Sequence, residues 1–383
     1  MIQNRFMWLI MMLRNNLARK RRVLLDGPYG YANLGDNAIA YCMSSFLTKA
    51  GIDVTISCLN PDYIEKSIGL PTLPILDFKT LSTSVLKAIG EFDAIIVGGG
   101  QQLQEHPVPN PFFGMFSRVC HMARVAKALN VPFIAWSVGM DWPLSPLARL
   151  MARHYLGSDN VTLILRDGKS YDHACSMLAG KSCRILHSKD AVFMLANFLS
   201  DDVTRSTELN FTRNKRLIVS PSIIKPQQGL RKMVELCEEA AQLGYEVKGW
   251  HSEIRPGYDL KVREMVDWGT IPGFEWLPPN PIDTNEVASL LSSASLLLTT
   301  RMHPAIIAVA QGVPAYGIAT NLKMRSVFDE LSMPYTNTED LEALNFHDIV
   351  ESQFEKSFSM AQQFSANAEL GGEQVLKAAF VDA

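Results

Sequence analysis

The chain has 383 residues, 47% hydrophobic and 20% charged, which suits one large or two ordinary globular domains and excludes a disordered or fibrous protein. The formal charge of −3 is unevenly divided. Residues 1–22 hold six bases (Arg5, Arg14, Arg19, Lys20, Arg21, Arg22) and no acid, so 30 bases face 39 acids in the remainder, a charge of −9. An acidic body argues against nucleic acid as the main partner, because binding a phosphate backbone needs a basic face.

The tip comes first in chain order. Residues 6–13 (FMWLIMML) fall far short of the roughly 20 apolar residues that span a bilayer. The basic cluster follows the apolar run instead of preceding it, which fits a signal peptide poorly. Two readings of residues 1–22 stand side by side: a helix lying on an anionic inner leaflet, or a cap on the fold with a solvated basic end. Six irregularly spaced cysteines without a C-x-x-C pair read as reduced thiols of a cytoplasmic protein.

From residue 23 on, short apolar runs alternate with helical patterns, the signal of parallel α/β architecture. Strands are expected over 23–26, 54–58, 94–97, 133–137, 162–165 and 183–186, and helices over 36–50, 112–130, 146–156 and 169–179. A polar stretch, 200–215, then reads as a linker. Beyond it strands are expected over 216–220, 245–250, 296–299 and 315–317, with helices over 228–243, near 258–268, and over 285–293 and 304–311. This predicts two Rossmann-like domains, 23–199 and 216–345, with a binding crevice between them, and a closing helical segment, 346–383, that packs back on them.

The first strand runs into Gly30-Tyr31-Ala32-Asn33-Leu34-Gly35-Asp36, where a helix starts. Glycines there bring backbone amides close to a ligand, and Asp36 is placed to cap the helix. A passive turn capped by Asp36 explains the pattern as well. Gly98-Gly99-Gly100-Gln101 follows the strand at 94–97, and three glycines clear side chains from its carboxyl end, which points to a substrate-facing role. The sharpest pattern is Thr299-Thr300-Arg301-Met302-His303-Pro304, a switch from apolar strand to helix. Pro304 suits the first helical turn, so Arg301 and His303 stand at the positive end of a helix dipole, an anion site with a proton donor beside it. Asn321 and Lys323 lie on the same rim, and Arg166-Asp167, closing a first-domain strand, offers a cation from across the cleft or a local ion pair. No metal-ligand spacing or G-x-S-x-G elbow is present, so a reaction without metal or cofactor is expected.

Taken in order, Gly30, Asn33, Gly35, Asp36, Gly98–Gly100, Ser137-Val138-Gly139, Arg166-Asp167, Arg301-Met302-His303, Gly312-x-Pro314 and Lys323 resemble the polysaccharide pyruvyl transferase family. Met302 stands where that family's triplet has Leu, and the basic tip departs from the family's core. The resemblance implies a GT-B-like arrangement with the active site in the interdomain cleft, acceptor side first and donor side second. It also implies transfer of the enolpyruvyl group of phosphoenolpyruvate onto two hydroxyls of a saccharide, giving a cyclic ketal and phosphate. His303 is then the general acid and Arg301 the anion clamp, with Asp36 or Asp167 as base. Arg166, Lys323, Asn321, Gly30, Asn33, Gly35, Gly98, Gly99, Gly100 and Gln101 are expected to bind substrate. Envelope polymers of this kind are commonly built on lipid carriers, so the resemblance implies a cytoplasmic protein peripheral to the inner membrane face and favours the membrane-contact reading of 1–22 over the cap.

Two other readings compete. A GT-B glycosyltransferase using a nucleotide sugar fits the two-domain pattern, but the position that often carries a ribose-binding glutamate, five before Gly312, is Ile307. A non-catalytic scaffold of an envelope-polymer assembly complex is the third.

Overall fold

The alternating runs resolve into thirteen strands among the described residues, every neighbouring pair parallel. The computed structural model describes residues 20–30, 33–74, 89–105, 114–140, 144–199, 215–224, 228–255, 257–278 and 283–381. Most of the expected basic tip and residues 200–214 of the expected linker lie outside these residues. No helix among them is long and apolar enough to cross a membrane.

Seven strands form one sheet: β1 (Arg22–Asp26), β2 (Asp53–Cys58), β3 (Thr72–Pro74), β4 (Ala94–Gly98), β5 (Phe133–Val138), β6 (Val161–Leu165) and β7 (Arg184–His187), in the order β3-β2-β1-β4-β5-β6-β7. Six form the other: β8 (Arg216–Ser220), β9 (Glu246–Gly249), β10 (Glu275–Trp276), β11 (Leu296–Thr299), β12 (Ala315–Ala319) and β13 (Tyr335–Asn337), in the order β10-β9-β8-β11-β12-β13. Continuous burial of β4, β5, β6, β11 and β12 explains their unbroken apolar runs, since a parallel sheet is covered on both faces. The strand order reverses between β1 and β4 and between β8 and β11, and such switch points open crevices at the carboxyl ends of the strands.

Contacts divide the chain into two units, Met1–Gly30 with Ile39–Ala191 and Ala366–Ala383, and Tyr31–Ala38 with Val192–Ser365. The first core packs the faces of β4, β5 and β6 against the helices Met115–Ala128 and Pro146–Tyr155; the second packs β8, β9 and β11 against the helix Gln228–Gln242. Near its end the helix Glu355–Phe380 comes close to the first unit's core: Gly371 abuts Ser188, and Gly372 abuts the Phe46 ring. Cys42, Cys58, Cys120 and Cys237 are buried, Cys175 and Cys183 are half-buried, and all six are unbridged. Burial pushes the Cys58 thiol up to about 11 and those of Cys120 and Cys237 higher still.

Three sequence expectations need correction. The expected helix near 258–268 is a 3-10 turn (Asp259–Lys261), a four-residue helix (Val262–Met265) and a second turn (Trp268–Thr270). Val266 is extended and Asp267 caps the second turn by accepting from Gly269 N at 2.9 Å, so the helix stops. The helix expected from residue 36 starts at Leu34, and Asn33 accepts from its first turn, at Gly35 N (2.9 Å). The helix expected from Pro304 starts at Met302, which places His303 inside its first turn.

Candidate functional site

A cavity of about 250 Å³ opens in the second unit at the carboxyl ends of β8, β9, β11 and β12. Its lining is drawn from segments far apart in sequence. Asn33, Leu34 and Gly35 open the helix Leu34–Lys49; Arg301 to Pro304 open the helix Met302–Ala310; Asn321, Lys323 and Met324 open the helix Leu322–Glu330. Three helix N-termini therefore meet one cavity, each carrying roughly +0.5 charge. Asn321 caps its helix by accepting from Met324 N at 3.0 Å, whereas Arg301 supplies no side-chain cap to the helix at Met302.

Local hydrogen bonds explain why Thr-Thr precedes the arginine. Thr299 Oγ1 donates to Ser220 O at 3.0 Å and accepts from Arg301 N at 3.0 Å. Thr300 Oγ1 donates to Ser222 Oγ at 2.8 Å and accepts from Ser222 N. These bonds tie the ends of β11 and β8 together and fix the point where the helix begins. The wall at Asn33 is fastened in a similar way, by an antiparallel bridge to Glu253 and by Leu34 N donating to Ser252 O at 3.0 Å. Gly35 is required sterically: a Cβ there would overlap the His303 ring at Nδ1, Cε1 and Cγ. The motif glycine at 35 and the motif histidine at 303 are therefore one contact.

Arg301 is not presented as a bare cation. Its Nε donates to both oxygens of Asp259, at 3.2 and 3.1 Å, its Nη2 also meets Asp259, and its Nη1 stands 3.3 Å from Glu253 Oε2. Glu253 is held in turn by Arg255, whose guanidinium stacks over the Tyr258 ring at 4.2 Å. Asp259 is wholly buried, and that burial, together with the neighbouring Glu253 and against the pull of Arg301, pushes its carboxyl up to about 6. Beyond it, His251 stacks on Trp276 (4.3 Å, 14°) and accepts from Arg263 Nε at 2.8 Å. Burial first, then the Arg263 charge, lowers the His251 pKa to about 3, so the ring is neutral.

Other expected site residues gather in the first unit. Arg166 is buried, its Nη1 donating to Asp190 at 2.9 Å and its Nη2 to Gln101 Oε1 at 3.0 Å, with Asp167 3.9 Å from its Nε. Of the two readings offered for Arg166, the described contacts are those of an ion pair, with Asp190 as the nearer partner. Asp167, one expected base, caps the helix Gly168–Met177 by accepting from Ser170 N and Oγ, each at 2.8 Å. Gly139 lies under Gln101 and Arg166, so the glycine cluster, Ser137-Val138-Gly139 and Arg166 form one assembly at the ends of β4, β5 and β6. Packing is reason enough for two of the glycines expected to clear room for substrate: a Cβ at 98 would strike Tyr29 Oη and Met43, and one at 99 would strike Ile39. Gly30 turns at φ +75 against the backbone of Asn60. Asp36 is half-buried and does not line the cavity, although its charge acts on Arg255.

Sequence reasoning missed Glu253, Asp259 and Asp190. The density of titratable groups in 251–263 (His251, Glu253, Arg255, Asp259, Arg263) was the available signal for the first two. Nothing in the pattern around Asp190 marks it.

The family model for polysaccharide pyruvyl transferase matches residues 33–321. The curated proteins offer no match to the sequence. Among solved structures, UDP-GlcNAc 2-epimerase from Neisseria meningitidis, bound to UDP-GlcNAc, is 11% identical with TM-score 0.61, over 94% of this chain and 99% of that one. UDP-GlcNAc 2-epimerase from Methanocaldococcus jannaschii is 13% identical with TM-score 0.60, over 93% and 98%. A glycosyltransferase from Rickettsia africae is 10% identical with TM-score 0.59, over 95% and 100%. At such identities the likeness is one of fold, the GT-B class with its two parallel-sheet domains.

Proposed function

Because the chain belongs to the polysaccharide pyruvyl transferase family, we propose that its second unit binds phosphoenolpyruvate and transfers the enolpyruvyl group to two hydroxyls of a saccharide. One observation carries this reading: His303, a proton donor, shares a cavity with Lys323 and a helix N-terminus that lacks a side-chain cap. About 250 Å³ is slightly below the roughly 300–1,000 Å³ of pockets for drug-sized ligands, a scale suited to a small polyanion.

In this reading the donor's carboxylate and phosphate lie between Lys323, the amides at Met302 and the Nη1 end of Arg301, which Glu253 meets across 3.3 Å. Protonated His303 gives its proton to C3 of the enol, C2 gains oxocarbenium character, and the first hydroxyl adds there while returning its proton to His303. The C2–O bond to phosphate then breaks, and phosphate leaves with that proton. The second hydroxyl closes the ketal and reprotonates the imidazole. Two hydroxyl protons are lost, one replacing the proton delivered to carbon and one leaving on phosphate, so one histidine balances the sequence. No metal or cofactor enters this route, and neither Asp36 nor Asp167 is required in it. A lipid-linked acceptor at the inner membrane face remains part of the proposal.

The nucleotide-sugar alternative is weakened further by Ile307, which is fully buried in its helix and offers a ribose neither an acceptor nor a surface. The deciding experiment incubates the protein with phosphoenolpyruvate and a panel of glycosides and follows inorganic phosphate. Release that depends on acceptor and disappears in His303→Ala, with unchanged thermal unfolding, is the expected result. Nucleotide diphosphate released from a sugar nucleotide instead overturns it, and no turnover of either donor leaves the scaffold reading.

A further inference from the structure

A guanidinium has two edges on which it can hold an anion, and in Arg301 they are treated differently. The Nε–Nη2 edge is filled by Asp259, a carboxylate with no exposed surface that does not line the cavity. The Nη1 end faces Glu253 Oε2 across a longer 3.3 Å, and Glu253 does line the cavity. The two carboxylates also differ in what remains if Arg301 turns to a ligand. Glu253 keeps the guanidinium of Arg255, which contacts its other oxygen, Oε1. Asp259 would lose the arginine that meets both of its oxygens, and a buried charge stripped of its partner is strongly unfavourable.

We propose that Glu253 is an exchangeable counter-ion that sets donor specificity, surrendering Arg301 Nη1 to an incoming multiply charged anion, while Asp259 is the positioning residue that holds the guanidinium still during the exchange. This rests on the reading that the cavity takes an anionic donor. An anion must displace a resident carboxylate to reach Arg301. Inorganic phosphate, with one charged group, meets the Glu253 charge directly and binds poorly. A donor with a carboxylate and a phosphate keeps its hold on Lys323 and the Met302 helix terminus while one group makes the exchange. The resident acid thus discriminates between donor and released phosphate, which limits product inhibition. Arg255 makes the exchange reversible, because Glu253 stays paired throughout.

The test is calorimetric titration of the full chain, without acceptor, by inorganic phosphate and by phosphoenolpyruvate. Removing the Glu253 charge in Glu253→Gln is expected to tighten phosphate by roughly tenfold or more and phosphoenolpyruvate by less, so their selectivity ratio falls. Asp259→Asn is expected to weaken both ligands together and leave that ratio near the parent's. Thermal unfolding of each variant controls for folding, and a structural role alone would not move the ratio. If the parent binds phosphoenolpyruvate and Glu253→Gln leaves the ratio unchanged, the counter-ion proposal falls while the donor reading stands. If the parent binds neither anion but Glu253→Gln gains phosphate, Glu253 is a fixed block, and both the exchange and the donor reading fall. If no variant binds either anion, both fall.

Discussion

Replacing Gly35 with alanine separates two effects that ordinarily run together. The residue lies in the first turn of the helix Leu34–Lys49, where alanine in place of glycine normally stabilises by roughly 0.5–1 kcal/mol. At 35, however, the new methyl group occupies the space of the His303 ring. Overpacking of this kind costs about 1–3 kcal/mol, so Gly35→Ala should be neutral to about 2.5 kcal/mol less stable. The ring must move by a sizeable fraction of its own thickness, and a displacement near 1 Å lowers turnover by about 100-fold. Gly168, at the start of the helix Gly168–Met177, is the control, since a Cβ there meets nothing within 4 Å. Gly168→Ala should gain the helical increment and keep its rate. Urea unfolding and acceptor-dependent phosphate release measure both quantities, and His303→Ala should relieve the instability of Gly35→Ala in a double-mutant cycle. A Gly35→Ala protein as active as the parent and stabilised like Gly168→Ala would refute the idea that the ring is seated on residue 35.

Two further outcomes are expected. His251 has its pKa lowered from 6.5 to about 3, so its stabilising contribution is complete above pH 6.5 and falls as pH drops, by about 1.4 kcal/mol per pH unit within that window. Asp259, raised to about 6, works in the opposite sense, its contribution being lost as pH rises through 6, so the His251 share is read as the difference between parent and His251→Gln in urea melts from pH 7 to 5; equal slopes refute it. Asp190→Ala removes the carboxylate facing buried Arg166 and should cost about 3–5 kcal/mol in chemical denaturation, whereas a loss under 1 kcal/mol means that Arg166 is compensated by Gln101 and Asp167 alone.

The parts of the site legible in the sequence were those attached to a change of period. At 296–304 an apolar strand gives way to Thr-Thr-Arg and then Pro304, and both the junction and its chemistry follow from that change. The glycines at 98 and 99 were legible as unusual, yet their cause is the close approach of Tyr29, Met43 and Ile39, contacts that local sequence does not encode. Arg166 stood out as a cation, but its state depends on Asp190, placed by a different part of the chain. Glu253 and Asp259 stayed hidden because the described residues of 251–263 form a bridge, turns and the start of one short helix with no hydrophobic period, and because a partner 42 residues away cannot be read from spacing. Short strands such as β3, β10 and β13 were invisible for a related reason: two or three residues do not establish an alternation.

The bridge from Asn33 to Glu253 has a consequence for biosynthesis. In synthesis the wall at Asn33 precedes the wall at Asn321 and Lys323 by nearly three hundred residues. The anion site is therefore incomplete until both segments have been made, and a fragment starting at Val192 would lack the Asn33 edge altogether. Closing so long a loop costs only modestly more than closing a short one, so the delay is one of timing and not of final stability. A small anion that binds this cavity is thus a probe of molecules that hold both walls, able to distinguish them from fragments lacking either.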